Sequence, residues 1–454
     1  LYEALSGVQH EYTEGSLPRA ILLLAVPMVL EMAMESVFVI CDIFFVARLG
    51  ADAVAAVGLT ESLLTLIYAV ACGLAMATTA MVARRVGEKR IRAASVAGGQ
   101  AIWVGVGVGA LTGLPCSLLA PRLLEWMGAE PGVVAGGSAY AAVLLGTNVV
   151  ILLLFLNNAV FRGAGDAAFA MRSLWLANGI NLVLDPCLIF GLGPFPELGV
   201  TGAAVATLCG RGAGVTYQFY ALRAGRSRVV LRRWALRLRA PVVLRLLRIS
   251  VGGIGQFLIA TASWIVLMRL VAPFGSAALA GYTIAVRIVI FALLPSWGLS
   301  NAAATLVGQN LGARRPERAE RAVWLTGLCN MAFLGIVTVV FVTLAPRLVA
   351  VFTDDGAVAP VAEASLKIIS YGYVFYAWGM VLTQAFNGAG DTMTPTWLNL
   401  IGFWMLQIPL AWWLAGGAGL GPAGVFWAIA VAESFLAVLA AGVFRLGRWK
   451  EREV

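Results

Sequence analysis

Charge is what this chain has least of. Only 12% of its residues are Asp, Glu, Lys or Arg, against roughly a quarter in ordinary soluble domains. That scarcity excludes a solvated globular surface, and with 61% hydrophobic residues it points to a polytopic membrane protein. Histidine occurs once, at His10, ahead of the first apolar run, so no imidazole relay is available inside a membrane. The six cysteines fall in or beside apolar stretches and form no CxxC pair, which implies neither a disulfide framework nor a metal site. No basic stretch followed by a short apolar core precedes the first long run, so a cleavable leader is not expected and the first helix is itself the anchor. A net charge of +9 would suit nucleic acid, but the cations sit in short stretches between apolar runs, a pattern that reports membrane orientation. No nucleic-acid partner is expected.

What is present is a series of apolar runs long enough to cross a bilayer. They fall near 20–47, 54–83, 93–118, 135–157, 170–192, 199–221, 245–272, 277–307, 321–344, 364–386, 394–415 and 423–445. Backbone in hydrocarbon must satisfy its own hydrogen bonds, so these twelve runs are expected to be helices, giving an all-α protein. An even number puts both termini on one side. Lys and Arg decide which: 25 lie at the terminal-side ends and loops, among them Arg162, Arg172 and nine between 223 and 248, against Arg48, Arg122 and Arg347 opposite. Positive residues stay inside, so both termini are expected to be cytoplasmic and the protein to lie in the plasma membrane, the inner one where there are two. The basic stretch from Leu222, with Trp234 and Leu236, is expected to lie along the anionic inner leaflet.

That stretch joins two halves that repeat. Gly73, Leu74, Ala77, Val82, Gly87 and Arg90 recur 225 residues later as Gly298, Leu299, Ala302, Val307, Gly312 and Arg315, and FRGAGD at 161–166 recurs as FNGAGD at 386–391. Six runs per repeat make both halves enter the membrane the same way, the organisation of an alternating-access transporter with a cleft between two bundles. The expected parts are an N-terminal segment at 1–19, an N-lobe at 20–221, a basic linker at 222–244, a C-lobe at 245–445 and a tail at 446–454.

The first run carries Glu31, Glu35 and Asp42. Spacings of four and seven return a helix nearly to its starting direction, so the three acids share one face. A carboxylate in a bilayer costs several kcal/mol unless it meets water, a partner or a proton, so the stripe marks a polar route; the alternative is a structural hydrogen-bonded seam. Pro27 leaves the Leu23 carbonyl without its helical donor, which predicts a bend. The fifth run sets Asn178, Asn181 and Asp185 on one stripe, with Pro186 freeing the Leu182 carbonyl. Counting 1.5 Å per residue from the expected ends places Asp42, Glu61, Asp185 and Thr207 roughly 7–12 Å below the outer surface, so residues from four helices meet at one level. The two asparagines would otherwise serve as ties between helices.

Together VPMVLE…DIFFVARLG in the first run, VGQNLGA after the eighth, the paired GAGD loops, NLVLDPCLIFG and GVTGAAVAT resemble the multidrug and toxic compound extrusion (MATE) family, from Leu17 to about Arg445. The resemblance implies a V-shaped antiporter of two six-helix bundles, without cofactor, that expels amphipathic, often cationic compounds in exchange for protons or sodium. It implies that Asp42 is the first-helix aspartate of the family, Pro27 its bend proline, Asn181 and Asp185 its fifth-helix pair and Thr207 its sixth-helix threonine.

The other half is an internal control. Moving 225 places on from Glu31, Glu35, Asp42, Glu61 and Asp185 gives Gln256, Ala260, Leu267, Val286 and Leu410. Coupling is therefore expected to belong to the N-half, which departs from one branch of the family that also has acidic ion-binding residues in its C-terminal half. That half carries Arg269 and Arg287, with Glu433 in the last run; Arg287 and Glu433 are expected to form a structural pair across helices. The roles of Arg211, Arg269 and Arg287 stay open.

Two other function classes have signals in the sequence. Asp166 and Asp391 of the GAGD loops resemble the GxGD of intramembrane aspartyl proteases, but both fall at span ends where Gly-rich turns belong, so no enzyme is expected. A lipid-linked precursor flippase of the same superfamily would want several cleft cations, and only Arg211, Arg269 and Arg287 qualify. Trp175, Tyr282, Trp297, Tyr371, Tyr373, Tyr376, Trp378, Met34 and Met380 are candidates for an adaptable wall suited to flat organic cations. The function expected is a monomeric exporter driven by protons through the N-half carboxylates, with sodium as the competitor, since Asp42, Asn181, Asp185, Thr207 and the Leu182 carbonyl supply oxygen ligands.

Overall fold

The structure, a computed structural model, describes residues 2–452 and 454, with Ile43 by its backbone alone. Leu1 and Glu453, which belong to the expected N-terminal segment and tail, lie outside the described residues. Among those described there are helices and no strand. A short α1 (Tyr2–Ser6) precedes α2 (Leu17–Ala47), α3 (Ala51–Gly87), α4 (Ile91–Leu118), α5 (Ala120–Trp126), α6 (Pro131–Gly146), α7 (Asn148–Ala164), α8 (Ala167–Phe190) and α9 (Val200–Arg223). The second lobe has α10 (Ala240–Val271), α11 (Ser276–Gly312), α12 (Pro316–Ala350), α13 (Ala359–Tyr371), α14 (Tyr373–Gly388), α15 (Met393–Asn399), α16 (Ile408–Trp412) and α17 (Pro422–Arg445).

These helices account for twelve spans. Nine helical stretches among the described residues are long and apolar enough to cross a membrane unaided, and α6 with α7, bent by 42° at Thr147, makes a tenth. The remaining two are α9 and the pair α13–α14, which breaks at Gly372. Thr147 and Gly372 are repeat equivalents, so even the breaks recur. At the first of them the Thr147 hydroxyl donates to the Val143 carbonyl at 2.7 Å, a local bond that competes with the helical ladder. The eleventh span, 393–417, is helical throughout but widens to π geometry at Leu400–Gln407 and Trp413–Gly417. Pro409 between them lacks the N–H that would close the usual ladder. The repeat extends to backbone corners, where Lys89 and Arg314, both at φ 58°, and Gly165 and Gly390, both at φ 84°, are equivalent.

The repeated glycines are the seam between lobes. A Cβ on Gly73 would come within 2.5 Å of the Ile254 amide nitrogen, and one on Gly298 within 2.5 Å of the Met28 carbonyl. A Cβ on Gly87 would collide with the Gln309 carbonyl, and one on Gly312 with that of Arg84. Each lobe's second helix thus lies backbone to backbone against the other lobe near the termini. Substituting Gly87 or Gly312 by Ala is expected to cost about 1–3 kcal/mol, as overfilling a rigid contact does. It should lower the melting temperature of the purified protein, while Gly107→Ala, which meets nothing within 4 Å, should not.

Both terminal segments cross that seam. Arg315, which caps α12, and Arg318 within it donate to the carbonyls of Thr13 (2.7 Å) and Gly15 (2.9 Å), while the Tyr12 hydroxyl donates to Gly165 O at 3.1 Å. Arg84 and Arg85 of α3 reach Arg452 O (2.6 Å) and Val454 O (2.8 Å) from the other side. The linker after α9 packs on the protein. Buried Val229, Leu231 and Ala235 dock it on α4, where the Gln100 amide takes the Arg239 N–H at 2.8 Å and Trp103 donates to Leu236 O at 2.7 Å.

Candidate functional site in the N-lobe and the cleft beside it

Four helices of the N-lobe converge on one polar cluster. Asp185 and Asn181 of α8 are a helical turn apart, and the Asn181 amide donates to Asp185 Oδ1 at 3.3 Å and to Thr207 Oγ1 of α9 at 3.1 Å. Asp42 of α2 interacts electrostatically with Asp185, with Tyr140 of α6 and with Arg211 of α9. Burial is deep: Asp185 is 0% and Asp42 9% exposed. Two acceptor oxygens there, Asn181 Oδ1 and Asp185 Oδ2, have no hydrogen-bond partner. Buried polar atoms are almost always paired, so oxygens left over beside two carboxylates suit a proton or a small cation.

The acid stripe of α2 divides between two neighbourhoods. Glu31 and Glu35 line a cavity of about 300 Å³ between the lobes, together with Tyr68, Arg162 and Arg211. Glu31, 1% exposed, accepts from the Asn158 amide at 3.1 Å and lies 3.8 Å from the Arg162 guanidinium. Gln218 in turn donates to Asn158 Oδ1 at 2.7 Å. Glu35 accepts from Asn178 at 3.1 Å, so Asn178 serves the stripe rather than the Asp185 cluster. Arg211 donates to the Tyr68 hydroxyl at 3.0 Å and interacts with both Glu35 and Asp42. Glu61 of α3 interacts electrostatically with Asp42 and, across the cleft, with Arg287 of α11. Pro27 lies inside α2, one turn ahead of Glu31, in a helix that continues through it.

Several sequence expectations are corrected here. Arg162, counted among loop cations, is inside α7 and ion-paired to Glu31. The Arg287–Glu433 pair is not formed within 4.0 Å; both residues line a second cavity, in the C-lobe, of about 560 Å³. Of the candidate wall residues, Tyr282, Trp297, Tyr376 and Met380 line that cavity, whereas Trp175 donates to Leu30 O, Tyr371 stacks on Trp427 and Trp378 is held against Trp324. Tyr373 is core, 2% exposed. The missed site residues are Tyr68, Tyr140, Asn158, Arg162 and Gln218. The amide pair Asn157–Asn158 inside an apolar run was the one available signal.

The C-lobe equivalents carry no acid, and three of them, Gln256, Ala260 and Val286, line the C-lobe cavity. Gln256 donates to Asn387 Oδ1 (3.0 Å) and Thr392 O (2.9 Å), and Leu267 is fully buried in the C-lobe core. The GAGD aspartates are tethers: Asp166 accepts from Ser227 Oγ at 2.6 Å and the Arg228 N–H at 2.8 Å, and Asp391 from Thr394 Oγ at 2.7 Å.

Comparison with known proteins agrees with this geometry. The family model described as MatE matches residues 27–187 and 254–413, one block in each lobe. A probable multidrug resistance protein NorM of Thermotoga maritima is 27% identical over 448 residues, 96% of this chain and 94% of the relative. An FAD transporter of Shewanella oneidensis is 26% identical over 407 residues, 89% of each chain. A MATE crystal structure in a straight conformation superposes with a TM-score of 0.91 at 25% identity, covering 98% of this chain and 100% of that one. The bent conformation superposes at 0.89 and 25%, covering 98% and 99%. Matched in both halves, and built of the same two six-span bundles, the chain belongs to the MatE family of membrane transporters.

Proposed function

We propose that this protein exports amphipathic, cationic organic compounds in exchange for protons, and that Asp42 and Asp185 are the groups that exchange proton for substrate charge. The observation that carries the reading is the buried Asp42–Asp185 pair with unpartnered oxygens on Asp185 and Asn181. In the described C-lobe, the positions equivalent to these acids hold Leu267 and Leu410. The N-lobe cavity is lined by Glu31 and Glu35 with Arg162 and Arg211, and Asp42, Glu61 and Asp185 stand behind it, so five acids meet two cations. Arg162 is taken by Glu31, and Arg211 is shared by Glu35 and Asp42. The surplus is negative, which favours a cation over the anionic head of a lipid-linked precursor.

Proton and substrate then compete for the same charge. A cation in the cleft favours ionised carboxylates; a proton from outside neutralises them and weakens that attraction, so each displaces the other. Pro27 gives α2 a place to bend as Asp42 changes charge, and relatives with this fold occur in straight and bent forms. The cationic side of the seam, with Arg84, Arg85, Lys89, Arg90, Arg314 and Arg315, supports a cytoplasmic position for both termini in the plasma membrane. The protein works as a monomer in this reading, since each lobe contributes to one cleft.

Purified protein in weakly buffered detergent solution is expected to release protons when a cationic substrate is added, and Asp42→Asn should abolish the release. Sodium is the competing ion, because Asp42, Asp185, Asn181 Oδ1 and Thr207 offer oxygen ligands. Efflux driven by a sodium gradient alone, without proton release, would reassign the same residues to a sodium cage.

A further inference from the structure

Glu433 is a buried carboxylate that the coupling chemistry does not use. It sits on α17 with 9% of its surface exposed, and among the described residues no hydrogen bond or ion pair engages its oxygens. Arg287, which lines the same cavity, interacts instead with Glu61 on the opposite lobe. Its oxygens open on the cavity rather than on a protein partner, and a carboxylate at membrane depth costs several kcal/mol unless it meets water, a proton or a cation. It persists where a proton or a cation visits it.

The space in front of it fits a visitor. The cavity of about 560 Å³ is in the range of pockets for drug-sized molecules, roughly 300–1,000 Å³. Trp264, Phe257, Trp297, Tyr282, Tyr376 and Phe403 contribute to its walls, and Phe257 and Trp297 are themselves stacked at 5.3 Å. Aromatic faces attract a cation that has shed water, and flat rings stack on them. Trp297, Phe257 and Gln384 also line the cavity that Glu31 and Glu35 face, so the two spaces adjoin.

We infer that Glu433 and the aromatic walls around it form an organic-cation site in the C-lobe, separate from the N-lobe carboxylates, that takes flat aromatic compounds bearing a fixed positive charge. The inference rests on the reading that substrates are cationic. It divides the labour, with recognition in the C-lobe and proton exchange in the N-lobe.

The test uses the full chain in lipid nanodiscs, with ethidium as a permanently charged probe and the uncharged phenanthridine ring as its partner, titrated by fluorescence at one pH. Glu433→Gln should weaken ethidium binding about ten-fold, equivalent to 1.4 kcal/mol, and leave the neutral ring unchanged. Trp264→Leu should weaken both probes, and Arg287→Ala should leave ethidium binding as tight or tighter. Equal ethidium affinity in wild type and a folded Glu433→Gln protein overturns the C-lobe site and leaves the export of cations standing. Absence of ethidium binding by wild-type protein that exports neutral or anionic compounds overturns both.

Discussion

Asp42→Asn and Asp185→Asn are each expected to reduce coupled efflux to the level of cells lacking the transporter, with the protein still folded and in the membrane. An amide has the shape of the carboxylate but cannot take up and release a proton, so substrate and proton lose the charge over which they compete. Folding should survive because the hydrogen-bond frame can be rebuilt: Asn181 donates to Asp185 Oδ1 and Thr207 Oγ1, and an amide oxygen at position 185 accepts as the carboxylate does. Drug resistance in cells and gradient-driven uptake in proteoliposomes measure the effect. Near-normal resistance with either variant removes that residue from the mechanism. Gln256 is a poor control on the other lobe, because its bonds to Asn387 and Thr392 hold α10. Ala260, the Glu35 equivalent that lines the C-lobe cavity, is the better site, and Ala260→Ser should leave coupling in place.

Arg162→Ala is expected to be strongly destabilising. Glu31 is almost fully buried, and Arg162 is its ion-pair partner, with a side chain only 13% exposed. Removing one partner of a buried pair leaves an uncompensated charge and typically costs about 3–5 kcal/mol. The double variant Arg162→Ala/Glu31→Gln should recover most of the loss, since Asn158, held in turn by Gln218, remains to donate to the oxygen of a neutral amide. Melting of the four proteins in detergent gives the cycle directly. An Arg162→Ala protein that melts like wild type would mean that Glu31 is held uncharged by its surroundings and that the guanidinium has no structural part.

What was legible along the chain was whatever a single helix or a repeat carries by itself. Twelve spans followed from run length, because backbone in a bilayer has no partner but its own segment. The register of Asn181 with Asp185 followed from the helical period, and the seam glycines were visible as a displacement of 225 residues. The inequality of the lobes was legible too, since the acids of one half meet Gln, Ala, Val and Leu in the other. Tertiary structure alone decided which side chains meet across helices. Arg162 reads as a loop cation until α7 is set against α2, where it pairs with Glu31; Asn178 shares a stripe with Asp185 yet bonds Glu35; Arg287 shares a cavity with Glu433 without an ion pair and interacts with Glu61 instead. The linker's apolar residues turn to α4 for the same reason. Periodicity gives the direction of a side chain about its own axis, whereas its partner depends on how far and at what angle the next helix lies, and that is decided only when the helices pack.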